Sequence, residues 1–347
     1  MYSFEIIELD DKLWDSYVKS ANIFDFYHTS GYHKIEQGEG ESAVLLVAKT
    51  IKEFVCLPLI IRQINGTDFF DATSVYGYCG PIASEPFNKL NKELIDFFKE
   101  YFLKYCNNHK IISIFSRLHP LIKQNLFFNS FGELKDLNKV VTIDLTEPID
   151  IQRQHYSRSY KNQINKLKKK KGYRVEKLSK DRIDIFKDIY FETMDRVGAK
   201  EYYYFSDEYL RQLVKNDCFD SEILVAYDNE GHPTSAAIFT ITNNIMQYHL
   251  GGTKDFALQD APIKYIMDEA RIMGSSSKLK YFNLGGGVGG SDDDSLFRFK
   301  SGFSKKFYQF SVWNLVVNED VYDRLNNEKG IKKEDYPNFF PLYRAKD

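Results

Sequence analysis

Cysteine is scarce and dispersed. Cys56, Cys79, Cys106 and Cys218 are the only four in 347 residues and form no Cys-x-x-Cys pair. The sequence therefore indicates neither a disulfide framework nor a zinc site. The histidines, His28, His33, His109, His119, His155, His232 and His249, show no His-x-x-x-His or His-Glu-x-x-His spacing, and no metal is expected. No stretch approaches the ~18 uncharged apolar residues of a membrane span. The N-terminal MYSFEIIELDDKLWDSY lacks the basic segment and apolar core of a secretory signal. A cytoplasmic protein is the expectation. Charge of one sign is also missing: Lys+Arg 47 against Asp+Glu 49 leaves −2 at a pI near 6.4, which argues against a general polyanion binder. No serine or cysteine sits in a nucleophile elbow. No Gly-x-Gly-x-x-Gly opens a βαβ unit, so the dinucleotide fingerprint is absent.

Aromatic residues are plentiful. Phe 28, Tyr 24 and Trp 2 make 16% of the chain, against the habit of disordered sequences. At roughly 100–200 residues per domain, the length implies two domains. Strand-like and helix-like segments alternate, as in a mixed α/β protein. Strands are expected at 3–9, twice within 41–64, within 73–84, at 111–118 and at 140–145, with helices at 11–21 and 87–107. A basic helix over 149–171 opens the second half, followed by a strand at 173–178 and helices at 181–197 and 206–216. Three strands fill 221–253, then a helix covers 262–273 and a strand 280–284.

The halves resemble each other. AVLLVAKTIKEFVCLPLII in the first answers SEILVAYDNEGHPTSAAIFTI in the second: apolar strand, charged turn, apolar strand. Each is followed by a strand ending in a glycine motif, then a helix, then another strand. A duplicated α/β domain is the expectation, with two unrelated α/β domains as the alternative.

Residues 246–303 carry the most chemistry. Gly251-Gly252 ends a strand, and Gln259-Asp260-Ala261 leads to Pro262 at a helix start. Asp260 is expected as the N-cap, and free backbone N–H groups there could hold phosphate. Gly285, Gly286, Gly287, Gly289 and Gly290 crowd one turn. Either close backbone approach to a ligand or a flexible loop over a cleft would account for them. Phe297-Arg298-Phe299-Lys300-Ser301-Gly302-Phe303 reads as a strand edge or a helix start. Lys300 is either a solvated lysine or a cleft ammonium facing developing negative charge. His249 beside the glycine pair is a packed strand histidine or a general base. From 158 to 174 run Arg158, Lys161, Lys166, Lys168, Lys169, Lys170, Lys171 and Arg174 with no acidic residue. That run is a solvated helix face, or a contact for transfer RNA or a nucleotide diphosphate.

Taken in order, Tyr-x-Leu-Gly-Gly-Thr, a helix, Lys-Tyr-Phe-Asn-Leu-Gly-Gly-Gly and Leu-Phe-Arg-Phe-Lys-Ser-Gly-Phe resemble the Fem-type non-ribosomal peptidyltransferases. Arg158-Ser-Tyr-Lys-Asn162 through Lys171-Gly172 is similar to the basic helix opening their second domain, and Gly80-Pro81 to a motif of their first. Here Cys79 precedes Gly80-Pro81 where the family commonly has arginine. Glu36, near Lys34, stands where some members have lysine.

The resemblance implies two tandem GNAT-like acyltransferase domains, residues 1–147 completed by the tail 312–347, and residues 148–311. It implies that Lys300 stabilises an oxyanion; His249, from its place beside the glycine pair, is the second catalytic candidate. Gly251, Gly252, Gln259, Asn283, Gly285, Gly286, Gly287, Arg298, Phe299, Arg158 and Arg344 are the candidate binding residues. A cleft between the domains would hold the reactants. A branch of the superfamily acylates nucleotide-linked (dTDP- or UDP-) amino sugars from acyl-coenzyme A. The ending Phe-Phe-Pro-Leu-Tyr-Arg344 is similar to that branch, so surface-polysaccharide biosynthesis is the first expectation. Aminoacyl-tRNA-dependent addition to a peptidoglycan precursor is the second.

Overall fold

The computed structural model describes residues 1–287 and 294–345. The chain forms two compact units, Met1–Leu137 with Gln309–Asp347, and Asn138–Tyr308.

In unit 1 the elements are β1 (Ser3–Glu8), α1 (Leu13–Ser20), α2 (Ser30–Glu36), β2 (Ser42–Lys49), β3 (Phe54–Gln63), β4 (Phe70–Thr73), β5 (Ile82–Ala83), α3 (Lys92–Asn108) and β6 (Ile111–Arg117). Unbroken apolar runs make β2 and β3 buried on both faces. Helix α3 starts later than the sequence pattern expects, because the Asn91 side chain caps it by accepting from Glu93 N. It buries Leu94, Phe98, Phe102 and Cys106 on one face. The next strand, β7 (Glu133–Asp144), begins well before the expected residue 140. Its polar first half holds by edge contacts: Gln309 Nε2 donates to the Leu137 carbonyl at 3.1 Å, and Ser311 Oγ to Asp136 Oδ1 at 2.6 Å.

Unit 2 begins with α4 (Ile149–Gln154) and α5 (Arg158–Lys170). The single expected helix over 149–171 is therefore two helices. Ser157 caps α5 by accepting from Tyr160 N, and its own N–H donates to the Gly302 carbonyl at 2.8 Å, which draws the chain out of helical course. Then come β8 (Arg174–Lys177), α6 (Ile183–Val197), α7 (Asp207–Val214), β9 (Asp220–Tyr227), β10 (Pro233–Thr242), β11 (Ile245–Thr253), α8 (Ile263–Ser276), β12 (Tyr281–Gly285) and α9 (Ser295–Ser301). The strand β13 (Lys306–Val316) and helix α10 (Glu319–Glu328) complete the chain.

The two units repeat one topology. Unit 1 has strand order β1-β2-β3-β4-β6-β13, and unit 2 has β8-β9-β10-β11-β12-β7. In each, four strands form an antiparallel meander, a helix (α3 or α8) crosses over, and the next strand pairs parallel with the fourth. An antiparallel strand closes each row. The core of unit 2 gathers Val141, Ile143, Phe239, Met246, Phe282 and Leu284 of the sheet with Ile266 and Ala270 of α8 and Phe297 and Phe303 around α9.

Candidate functional site

The site of unit 2 starts from a parallel strand pair that stops short. β11 and β12 are in register only at Ile245↔Tyr281, Met246↔Phe282 and Gln247↔Asn283. Beyond that the strands part. β11 continues along β10 through a bulge, since Phe239 faces Tyr248 and Ile238 faces Leu250, leaving His249 as the extra residue. β12 instead turns at Gly285, whose φ of +77° favours glycine. The Asn283 Oδ1 accepts from Gly285 N at 3.0 Å and fixes that turn.

Helix α9 brings Lys300 to this fork. Asp294 caps it by accepting from Phe297 N at 2.8 Å. Phe297 and Phe303 are sunk in the core, and Lys300 between them is 7% exposed. Its Nζ donates to the Gly286 carbonyl at 2.7 Å and lies 5.8 Å from the Tyr248 ring centroid. Burial pushes the amine down to about 7, against the opposing pull of the Asp294 carboxylate. Burial also lowers His249 to about 4, so it is neutral at pH 7, and raises the Tyr248 hydroxyl. An amine poised near neutrality beside two glycine turns is able to bind developing negative charge and to exchange a proton.

The glycines have internal reasons. A Cβ at Gly251 would lie 2.3 Å from Tyr248 Oη, and one at Gly252 2.8 Å from the Ile189 carbonyl of α6. One at Gly286 would lie 3.1 Å from the Lys139 carbonyl, and one at Gly287 2.3 Å from Asp294 Oδ1. Three consecutive aspartates follow the glycines, of which Asp294 is the α9 cap; Asp292 and Asp293 lie outside the described residues, as do Gly289 and Gly290.

At the start of α8 the expected cap is replaced. The N-cap position is Pro262, without a side-chain cap bond. Asp260 turns instead to Lys171 and to Tyr173 Oη, at 3.0 Å from the latter. Against the effect of burial, those two bonds hold its carboxyl below the usual range. A cavity of about 240 Å³ here is lined by Asn162, Gln163, Lys166, Leu167, Gln259 and Asp260. Lys264 donates to Gln163 Oε1 at 2.7 Å and sits 4.1 Å over the Tyr160 ring.

The remaining candidates are dispersed. Arg158 and Arg298 are exposed, and Phe299 packs against Tyr160 and Phe303. In the basic run, Lys168 pairs with Glu269 at 2.7 Å, Arg174 with Glu176 at 2.7 Å, and Lys171 with Asp260. Lys166, Lys169 and Lys170 are exposed. In unit 1, Arg344 is bound to the buried Asp71 and to the Gln63 carbonyl.

A polar row crosses the unit 2 sheet, of which sequence reasoning named only Asn283: Thr142, Asn283, Gln247 and Thr240 stand in register on four adjacent strands. Each is buried and carries an atom with no hydrogen-bond partner among the described residues: Thr142 Oγ1, Asn283 Nδ2, Gln247 Oε1 and Thr240 Oγ1. A stranded buried polar atom costs roughly 1–3 kcal/mol. Polar residues inside apolar strands are the only signal the sequence gives of it. Tyr248 opens the Tyr-x-Leu-Gly-Gly-Thr motif, but nothing in that motif places its ring beside Lys300.

No protein-family model matches the chain, and no curated protein does. Solved structures do. FemX is similar over 92% of this chain and 99% of its own, at 12% identity and a TM-score of 0.73. L-PGS from Bacillus licheniformis is similar over 90% and 94%, at 12% identity and a TM-score of 0.55. A tandem GNAT protein from the clavulanic acid biosynthesis pathway is similar over 91% and 99%, at 7% identity and a TM-score of 0.50. The chain thus has the Fem-type fold of two GNAT-like domains, as the motifs imply. No helix among the described residues is long and apolar enough to cross a membrane, and they contain no cluster of metal-binding side chains.

Proposed function

We propose that this protein is a transferase that moves an acyl or aminoacyl group onto an amine. The observation that carries the reading is the buried Lys300 amine at the fork of β11 and β12, held by a backbone carbonyl and poised near neutrality. A neutral acceptor amine attacks the donor carbonyl, and the C–N bond forms. The oxyanion that develops draws and keeps a proton on Lys300, which stabilises it. Collapse breaks the bond to the donor's leaving group, which departs with the proton lost by the amine. Holding both reactants supplies much of the acceleration. His249, neutral and buried, is a candidate proton acceptor beside water.

Within that reading, the donor is an acyl-coenzyme A and the acceptor the amino group of a nucleotide-linked amino sugar. The residues at the start of α8 fit an anionic donor: Asp260 is compensated by Lys171, its first turn has no side-chain cap, and Lys166 and Lys264 are adjacent. The thioester would supply the activated carbonyl. Ion pairing of Lys168, Lys171 and Arg174 within the fold leaves less charge for an extended polyanion. The second reading, an aminoacyl-tRNA donor with a peptidoglycan precursor as acceptor, is favoured by the exposed Arg158, Lys166, Lys169 and Lys170. A panel of acyl-coenzyme A donors with dTDP- and UDP-amino sugars, read by free-thiol release, tests the choice. Thiol release dependent on the amino sugar is expected. Activity only with charged tRNA would reverse the ranking, and no transfer from either donor class would remove the transferase reading.

A further inference from the structure

The fork is held by two carboxamides. Asn283 and Gln247 face each other at the last paired position before β11 and β12 separate. Both are buried, and each holds the backbone of its own strand. Asn283 Oδ1 accepts from Gly285 N at 3.0 Å, and Gln247 Nε2 donates to the Tyr248 carbonyl at 3.1 Å. Gly285 leads directly into Gly286, whose carbonyl accepts from Lys300 Nζ, and Tyr248 carries the ring under that ammonium. The Asn283 contact coincides with a register shift, in which Asn283 faces Thr142 and Gly285 faces Val141.

The other half of each amide is stranded: Asn283 Nδ2 and Gln247 Oε1 are buried without a partner among the described residues. Leucine in either place would remove the stranded side-chain atom but also the contact to the Gly285 N–H or to the Tyr248 carbonyl. What the amides supply, and leucine does not, is the one contact each makes to the chain.

We infer that Asn283 and Gln247 are positioning residues, which pin the two walls of the fork so that Gly286 and Tyr248 hold the Lys300 ammonium between them. The inference rests on the role proposed for Lys300, but it also predicts where that amine sits and how it titrates.

The two amides use opposite ends, so equivalent substitutions must give opposite results. Asn283→Asp keeps the acceptor oxygen and should hold kcat within about fivefold of wild type. Gln247→Glu loses the donor, and kcat should fall about tenfold or more with KM little changed. Asn283→Leu and Gln247→Leu should match that loss while melting near the wild-type temperature, since each removes one stranded atom and one backbone contact. Nitrogen-15 NMR of the lysine side chains reads the amine itself: its midpoint, near 7 in the wild type, should move by about a unit or more in both leucine variants. Equal effects of the two acids, or leucine variants with intact kcat and an unmoved amine, would overturn the inference. If Lys300→Met stays active, the proposed function fails, while the amine titration still decides whether the carboxamides hold it.

Discussion

Lys300 sets the terms at the residue scale. Enclosing an ammonium between the Tyr248 ring and the Gly286 carbonyl costs stability, and the amine responds by titrating near 7 in place of its ordinary 10.5. The folded pKa lies below the unfolded one, so between about 7 and 10.5 the unfolded chain binds more protons. Stability therefore rises with pH across that window, and at neutral pH the charged form burdens the fold. If, as proposed, the protonated amine is the form that meets the oxyanion, kcat/KM should fall as pH rises through about 7, after an ascending limb set by the acceptor amine. A pH–rate profile checks this; a purely ascending profile through that range would show that the cationic form is not the one used. Little of this is legible in the sequence. Phe-Arg-Phe-Lys-Ser drew notice through its resemblance to a family, but nothing in it shows that the ammonium is buried, because Tyr248 and Gly286 arrive from distant positions. Asp260 is a similar case: a cap by local rules, it is claimed by Lys171 and Tyr173, far away in sequence.

At the scale of elements, one parallel pair opens the site, and its neighbours are shaped to let it. Gly252 is where α6 lies on β11, with the Ile189 carbonyl and Thr193 Oγ1 each 2.8 Å from where a Cβ would stand. Gly252→Ala should therefore lower stability by about 1–3 kcal/mol through overpacking, read by chemical denaturation. A wild-type midpoint would show that α6 shifts freely. Strands and helices with a clear period were readable, β2 and β3 by their apolar runs and α3 by its stripe. The break between α4 and α5 was not, because the basic run keeps helical character across it and Ser157 is diverted by Gly302. The early start of β7 escaped for a related reason: Glu133–Lys139 is polar and finds its partners far along the chain.

For the whole molecule, the repeat is completed by exchange. The strand that follows β6 closes the row of unit 2, and the one that follows β12 closes the row of unit 1. The apolar strand-turn-strand repeats made the duplication visible; the exchange was not, since nothing in β7 or β13 names its neighbour. The tail seals unit 1 through Tyr343, whose hydroxyl bonds Ser113 Oγ at 2.7 Å and Asp71 Oδ2 at 3.1 Å. Unit 1 also buries His28 and His33, which burial depresses to about 3 and about 4. Both are neutral when folded and charge readily when unfolded, so their contribution is complete above about 6.5. It is lost as pH falls toward 4, at about 1.4 kcal/mol per pH unit for each histidine. Denaturation midpoints from pH 7 to 4 should show that decline, and His33→Phe should flatten it; an unchanged slope would place the acid sensitivity elsewhere. The most direct test of the account is the rate of Lys300→Met against wild type on one donor and one amine acceptor, with the melting temperature taken alongside. The account predicts a loss of about 100-fold or more in kcat/KM in a protein that melts at or above the wild-type temperature. A folded variant that turns over at the wild-type rate would contradict it.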